Sequence, residues 1–266
     1  MTRVIAIDWS GKAKGASESI WRAVAVDGHL LELENGRERD ELIRWVVDYA
    51  QRHPHTVVGL DFAFSFPAWF CAREGWSSGR DLWTAMQERS DSLLAACEPP
   101  FWGRAGKRPE IDGARFRQTE SQIKEDFRIQ PKSVFQIAGA GAVGTGSLRG
   151  MCNLADLAHA GFAIWPFDPP AWPLVVEIYP RLLTGEVVKN RHLNRREYLR
   201  QYSSDQNPVL LERAAGSEDA FDAAVSALIM GRHVQELEHL PEFPPDTPQR
   251  IEGCIWTPEQ ALPAGS

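Results

Sequence analysis

Two short β-branched runs, Val4-Ile5-Ala6-Ile7 and Thr56-Val57-Val58-Gly59-Leu60, each stop on an aspartate, Asp8 and Asp61. Runs that are apolar at every position predict strands covered on both faces. An unpaired carboxylate carried into such surroundings costs several kcal/mol, so a sheet with acids at its strand ends must supply them with partners. Two further places repeat the pattern. Glu177 lies inside Leu174-Val175-Val176-Glu177-Ile178-Tyr179-Pro180, and Asp219 and Asp222 stand three apart on an alanine-rich helix predicted to start from a Ser217 cap. Oxygen donors without His or Cys beside them point to Mg²⁺ or Mn²⁺. Carboxylates holding two such ions about 3.5 to 4 Å apart activate a water and stabilise the leaving oxygen in phosphodiester hydrolysis. The bland reading of the same acids is a turn residue, a loop cap, an edge-facing side chain and a solvated helix stripe.

The remaining pattern predicts a mixed α/β protein. Ser19 to Val26 alternates, Asp27-Gly28 is a hairpin dipeptide and His29 to Leu33 follows, so the first run opens a three-stranded antiparallel meander. Leu42, Trp45, Val46 and Tyr49 share one helical face within Arg39 to His53. Phe66 to Gly75 reads as a short helix. Residues 76–132 show little periodicity and many Trp, Arg, Gly and Pro residues, and are expected as an inserted helical or irregular subdomain or lid. Ser133 to Ala138 and Phe162 to Phe167 are expected as strands, Met151 to His159 as a helix. This gives one domain over 1–240 and a Pro-rich, acidic strap with a loose tail over 241–266.

The order strand-Asp8, hairpin, helix, strand-Asp61 and a late Asp-x-x-Asp-Ala helix resembles the ribonuclease H-like superfamily, whose sheet sets an antiparallel meander beside parallel strands flanked by helices. Asp219-Ala-Phe-Asp222-Ala-Ala-Val-Ser-Ala227 looks like the last helix of RuvC-type Holliday-junction resolvases. Asp8-Trp-Ser-Gly11, Gly59-Leu-Asp61, Arg117-x-x-Glu120 and Glu177-Ile-Tyr-Pro180, with that helix, resemble the domain of unknown function 429 family of predicted nucleases over most of Val4 to Met230. The resemblance implies a two-ion nuclease with Asp8, Asp61, Asp219 and Asp222 as metal ligands. It makes Asp8, Asp61, Asp222 and Glu177 the catalytic acids, Glu177 being either a ligand or a structural acid. Trp9, where the family has a small residue, is expected to restrict substrate access.

Hydrophobic residues at 43% and charged residues at 24% exclude a globally disordered chain. No apolar run is long enough to span a bilayer, the Met1-Thr2-Arg3 start has no h-region, and four cysteines without C-x-x-C spacing fit neither zinc nor a disulfide scaffold. A cytoplasmic protein with no membrane partner is expected. The net charge of −7 argues against a uniformly cationic surface, yet Arg104 to Lys132 carries eight Lys/Arg against five Asp/Glu. Trp69, Trp76, Trp83 and Trp102, with Arg104, Lys107, Arg108, Arg115 and Arg117 after them, combine aromatics with cations, a composition suited to stacking bases beside phosphates. These cations and Lys12 are the predicted nucleic-acid contacts, and Lys189, Arg191, Arg195, Arg196 and Arg200 form a second basic stretch. Rival readings remain. Gly139-Ala-Gly141-Ala-Val-Gly144 satisfies a dinucleotide-binding pattern, Asp8-Trp-Ser-Gly11-Lys12 is similar to the first phosphate loop of actin-like and sugar-kinase ATPases, and a lapsed site would leave a nucleic-acid-binding protein without turnover.

Overall fold

The computed structural model describes residues 1–103, 107–139 and 142–259. Its strands are β1 (Arg3–Asp8), β2 (Trp21–Val26), β3 (His29–Glu34), β4 (Thr56–Leu60), β5 (Ala163–Ile164) and β6 (Leu174–Glu177). They form one six-stranded sheet in the order β3-β2-β1-β4-β6-β5. The first three strands make the antiparallel meander, turning at Asp27 (φ 48°) and Gly28 (φ 74°), the pair of left-handed residues a tight hairpin requires. β4 joins β1 in parallel, and β6 and β5 continue the parallel half.

The helices are α1 (Ala16–Ser19), α2 (Arg39–Arg52), α3 (Ala68–Glu74), α4 (Gly79–Ala96), α5 (Gln118–Phe127), α6 (Gly144–His159), α7 (Pro180–Thr184), α8 (His192–Leu199), α9 (Pro208–Ala215), α10 (Glu218–Arg232), α11 (Val234–Glu238) and α12 (Gln249–Glu252). Successive strand residues point to opposite sheet faces, and the core divides accordingly. Ile5, Ile7, Val58, Leu60 and Val175 pack with residues of α2, α4 and α6, such as Val46, Trp83 and Leu148. Val4, Ala6, Val57 and Val176 pack with α10 through Ala220, Phe221, Ala224 and Leu228. Small residues set the closeness of that second contact. A Cβ on Gly59 would lie 2.6 Å from the Met230 sulfur, so β4 has room for hydrogen only beneath α10.

Several expectations need correction. Residues 76–132 are no separate subdomain: α4 contributes Leu82, Trp83 and Met86 to the same apolar cluster as Ile5 and Ile7. Trp76, Trp83 and Trp102 are buried there too, and Trp69 packs on the cluster, so these rings fill the core and present no stacking platform. Ser133 to Ala138 is not a strand and makes one isolated bridge, Trp102 to Gln136, while Phe162 to Phe167 contributes only β5's two residues. α6 begins at Gly144 rather than Met151. Its glycines serve close packing, since a Cβ on Gly150 would meet the Phe62 ring at 2.7 Å. Part of the Gly139–Gly144 motif, residues 140 and 141, lies outside the described residues.

The strap is anchored as far as residue 259. Ile255 bridges to Glu177 beside β6, and the two carboxylate oxygens of Glu252 accept from Ala68 N and Gln118 N, each at 2.6 Å. One side chain therefore satisfies the free N–H groups that open α3 and α5. Glu252→Ala should lower unfolding free energy by about 3 kcal/mol, two charge-assisted bonds being lost together. Urea denaturation checks it, and a loss under about 1 kcal/mol would show that the caps are dispensable.

Candidate active site

Parity decides which acids meet. In β1, Val4 and Ala6 face α10, so Asp8, two residues on, faces α10 as well. In β4, Val57 and Gly59 face α10, and so does Asp61, which follows directly and whose N–H donates to Ile7 O at 3.1 Å. Parallel pairing of Ile7 with Leu60 places the two aspartates side by side where adjoining strands end. α10 starts on Ser217, whose hydroxyl accepts from Ala220 N at 3.0 Å, and its first turns carry Asp219 and Asp222 over the same strand ends.

The carboxyl groups of Asp8 and Asp61 lie near one another, so that two negative charges there repel. Burial raises the Asp8 pKa well above its ordinary value, with Asp61, Asp222 and Asp219 adding repulsion. Burial, and then the charge of Asp222, pushes Asp61 up to about 7. Burial also raises Asp222 and Asp219, against opposing pulls from Lys189 on the first and from Lys12 and Lys189 on the second. Lys189 Nζ donates to Asp222 Oδ2 at 2.5 Å, while Asp222 Oδ1 is buried with no hydrogen-bond partner. Hard oxygen donors of this kind belong to the class that Mg²⁺ and Mn²⁺ take. As the side chains stand, with Lys189 on Asp222, the described residues contain no group of three or more acids, histidines or cysteines arranged as a ligand set.

Glu177 is elsewhere. Its neighbours Val176 and Ile178 face α10, so Glu177 points to the opposite face from Asp8 and Asp61. There it accepts from Arg117 Nη1 at 2.8 Å, from Arg117 Nη2 at 2.5 Å and from Phe64 N at 3.0 Å. Arg117 also donates to Glu120 through Nε at 2.9 Å and to Glu252 O at 3.0 Å. Arg117 is 1% exposed and Glu177 2%: Arg117 presents no exposed cation to a nucleic acid, and Glu177 is held by that arginine as a structural acid while lining the same cavity as Asp61. They form a buried clamp tying α5, β6 and the strap together.

The other predicted cations differ among themselves. Lys12, Lys107 and Arg108 are exposed, with Lys12 Nζ donating to Ser19 Oγ at 2.5 Å and Arg108 lying over the Trp102 ring. Arg115 is partly buried and donates to Pro109 O at 2.7 Å, so it serves its own loop. Arg104 lies outside the described residues. Trp9 faces the core, its ring 5.1 Å from that of Phe62, so its bulk does not stand over Asp8.

Sequence reasoning missed the groups that hold the site's loops. Arg39 donates to Ser10 O at 2.6 Å and to Lys12 O at 2.6 Å, and Arg149 donates to Gly11 O. A Cβ on Gly11 would lie 2.5 Å from Gly146 N, so only glycine lets the loop after Asp8 rest on α6. Beside it a cavity of about 210 Å³ runs from Asp61 past Lys132 and Tyr179 to Arg117. Comparison with protein-family models, with curated proteins and with solved structures returns no match.

Two outcomes follow from these charges. Acids whose folded pKa exceeds the unfolded value contribute stability that is full below about pH 4 and lost as pH rises through about 7. In chelator, Asp61→Asn should therefore gain melting temperature relative to the parent chain as pH goes from 4 to 7.5. A constant difference across that window would disprove the paired acids. Arg117→Met should destabilise by about 3–5 kcal/mol, because two buried glutamates lose their cation. A urea titration showing less than about 1 kcal/mol would mean that the clamp carries no stability.

Proposed function

We propose that this protein is a metal-dependent phosphodiesterase acting on nucleic acid, with a ribonuclease H-like fold. The observation that carries the reading is the meeting of Asp8 and Asp61 at adjoining strand ends beneath Asp222. Acids from distant parts of the chain repel one another there and leave one carboxylate oxygen unpartnered, an arrangement that costs stability unless a cation answers it. The sheet order, with its three-stranded antiparallel half beside parallel strands and the acid-bearing β1 and β4 adjacent, supports the fold reading. The motifs around Asp8, Asp61 and Asp222, with their resemblance to predicted nucleases, support the activity.

In this reading Asp8, Asp61 and Asp222 hold Mg²⁺ or Mn²⁺, and Asp219 supports them from the first turn of α10. The divalent charge, when bound, acidifies an attacking water and steadies the departing ester oxygen. The water oxygen bonds to phosphorus, the phosphorus–oxygen ester bond breaks, and a proton passes to the departing oxygen. The chain's own part is orientation: Arg39 and Arg149 fix the loop that follows Asp8, and the alanine-rich packing of α10 fixes the height of Asp222 above it. Lys12 is exposed beside Asp219, and Lys107 and Arg108 are exposed on the loop before α5, so these remain the residues proposed to contact phosphates.

Single- and double-stranded DNA and RNA should be assayed with Mn²⁺. Cleavage of one of them is expected to fall by about 10³-fold in Asp8→Asn and in Asp222→Asn, the loss of several kcal/mol of charge stabilisation. Glu218→Gln, an exposed acid on the same helix, should retain it. Cleavage of none of the four polymers, or cleavage unchanged in Asp8→Asn, would overturn the assignment.

A further inference from the structure

The cavity beside Asp61 is lined by groups of two kinds. At one end the polar groups are spent, because Arg117 is engaged by Glu120, Glu177 and the Glu252 carbonyl. The walls are Trp9, Phe62, Val143, Ile178, Tyr179 and Ile255, all aromatic or apolar. Among them Trp9, 8% exposed, carries an indole N–H that is buried and meets no acceptor. Leaving such a donor unpaired costs its full desolvation. Trp69, Trp83 and Trp165 by contrast give theirs to the carbonyls of Ala114, Phe64 and Pro241. The Trp9 Cδ1 atom lies 3.8 Å from the place a Cβ on Gly146 would take, and Gly146 lines the same cavity. The Cδ1–Nε1 edge of the indole is therefore turned to this wall.

Resting on the nucleic-acid reading above, we propose that this cavity takes one unpaired base of the substrate strand, with a ring carbonyl accepting from Trp9 Nε1. Three features select that occupant. The volume, about 210 Å³, is below the roughly 300–1,000 Å³ of sites that enclose a drug-sized molecule, so one ring system fits and a dinucleotide does not. Aromatic and apolar walls suit the faces of a heterocycle, and the unspent indole donor requires an acceptor on the ring edge. Asp61 lines the cavity and adjoins Asp8, so a base seated here leaves its sugar and phosphate beside the acids to which the reaction is assigned. Lys132, exposed and part of the same lining, supplies a cation to that backbone. A base still paired with a second strand cannot enter a space of this size, so the substrate class is a single-stranded polymer.

Nucleosides alone report on the cavity without turnover. Uridine, cytidine, guanosine and adenosine are titrated into the full chain in chelator and followed by calorimetry and by melting temperature. Uridine should bind, and adenosine, which has no ring carbonyl, should bind about tenfold more weakly. Gly146→Ala sets a methyl against the indole edge at ordinary contact distance, 3.7 Å from Gly11 N, so it should fold and bind uridine more weakly than the parent chain. Trp9→Phe keeps a ring and deletes the donor, so it should bind uridine and adenosine alike. No nucleoside bound by the parent chain, or uridine binding unchanged in Gly146→Ala, would overturn the proposal. Uridine binding that weakens in Gly146→Ala, with no polymer cleaved, would uphold the base pocket and refute the nuclease reading alone. Double-stranded polymer cleaved as fast as single-stranded would refute the pocket and leave the nuclease reading standing.

Discussion

The two-residue alternation of β1, β4 and β6 is the constraint from which the rest of this molecule follows. It sends Asp8 and Asp61 to the face covered by α10, and it sends Glu177, one strand over, to the other. Three acids that stand at comparable points along neighbouring strands thus take different partners, although Asp61 and Glu177 line one cavity. A shift of one residue in β6 would exchange them. Glu177 would then join the aspartates without its arginine, and Arg117 would be left buried beside Glu120 alone.

Each cluster solves the cost of buried charge differently. On the Glu177 side the solution is complete: a planar guanidinium meets two carboxylates and a carbonyl, and Phe64 N gives Glu177 Oε2 a second donor. On the Asp8 side the solution is partial, because the acids outnumber the cations that touch them. Asp8 and Asp61 therefore retain a proton in a range where carboxyl groups ordinarily lose it, which weakens the fold as pH rises. Unresolved electrostatic strain of this kind marks functional sites more often than scaffolds.

The parts legible in the sequence were those written in local pattern. β1 and β4 announce themselves by β-branched runs, the hairpin by Asp27-Gly28, and α10 by Ser217 followed by alanines. The acids at these ends could be named for the same reason. What escaped was long-range pairing. Arg117 reaches Glu177 across 60 positions and Lys189 reaches Asp222 across 33, and no spacing rule connects them. Arg117 and Arg108 look alike as members of one basic run, yet the first is buried and the second exposed. The tryptophans of 76–132 misled because composition cannot distinguish a ring that packs from a ring that stacks on a ligand. α4 was missed because Leu82, Trp83 and Met86 make too narrow a stripe among polar neighbours to show a period. β5 was overextended because its neighbours Phe162, Trp165 and Phe167 are apolar while only two residues pair.

The choice of cation in each cluster distinguishes scaffold from site. Arginine cannot lose its charge and satisfies carboxylates in pairs, so a buried Arg117 with two glutamates closes a structure that has no further capacity. Lysine on Asp222 leaves the second oxygen of that carboxylate, and the whole Asp8–Asp61 pair, open to another positive charge. Had the fold required only stability, a second arginine from the basic stretch that already supplies Arg195 would have closed the front cluster as Arg117 closes the rear one. The front cluster instead stays short of positive charge beside exposed Lys12, and that shortage is what separates it from the closed clamp around Arg117.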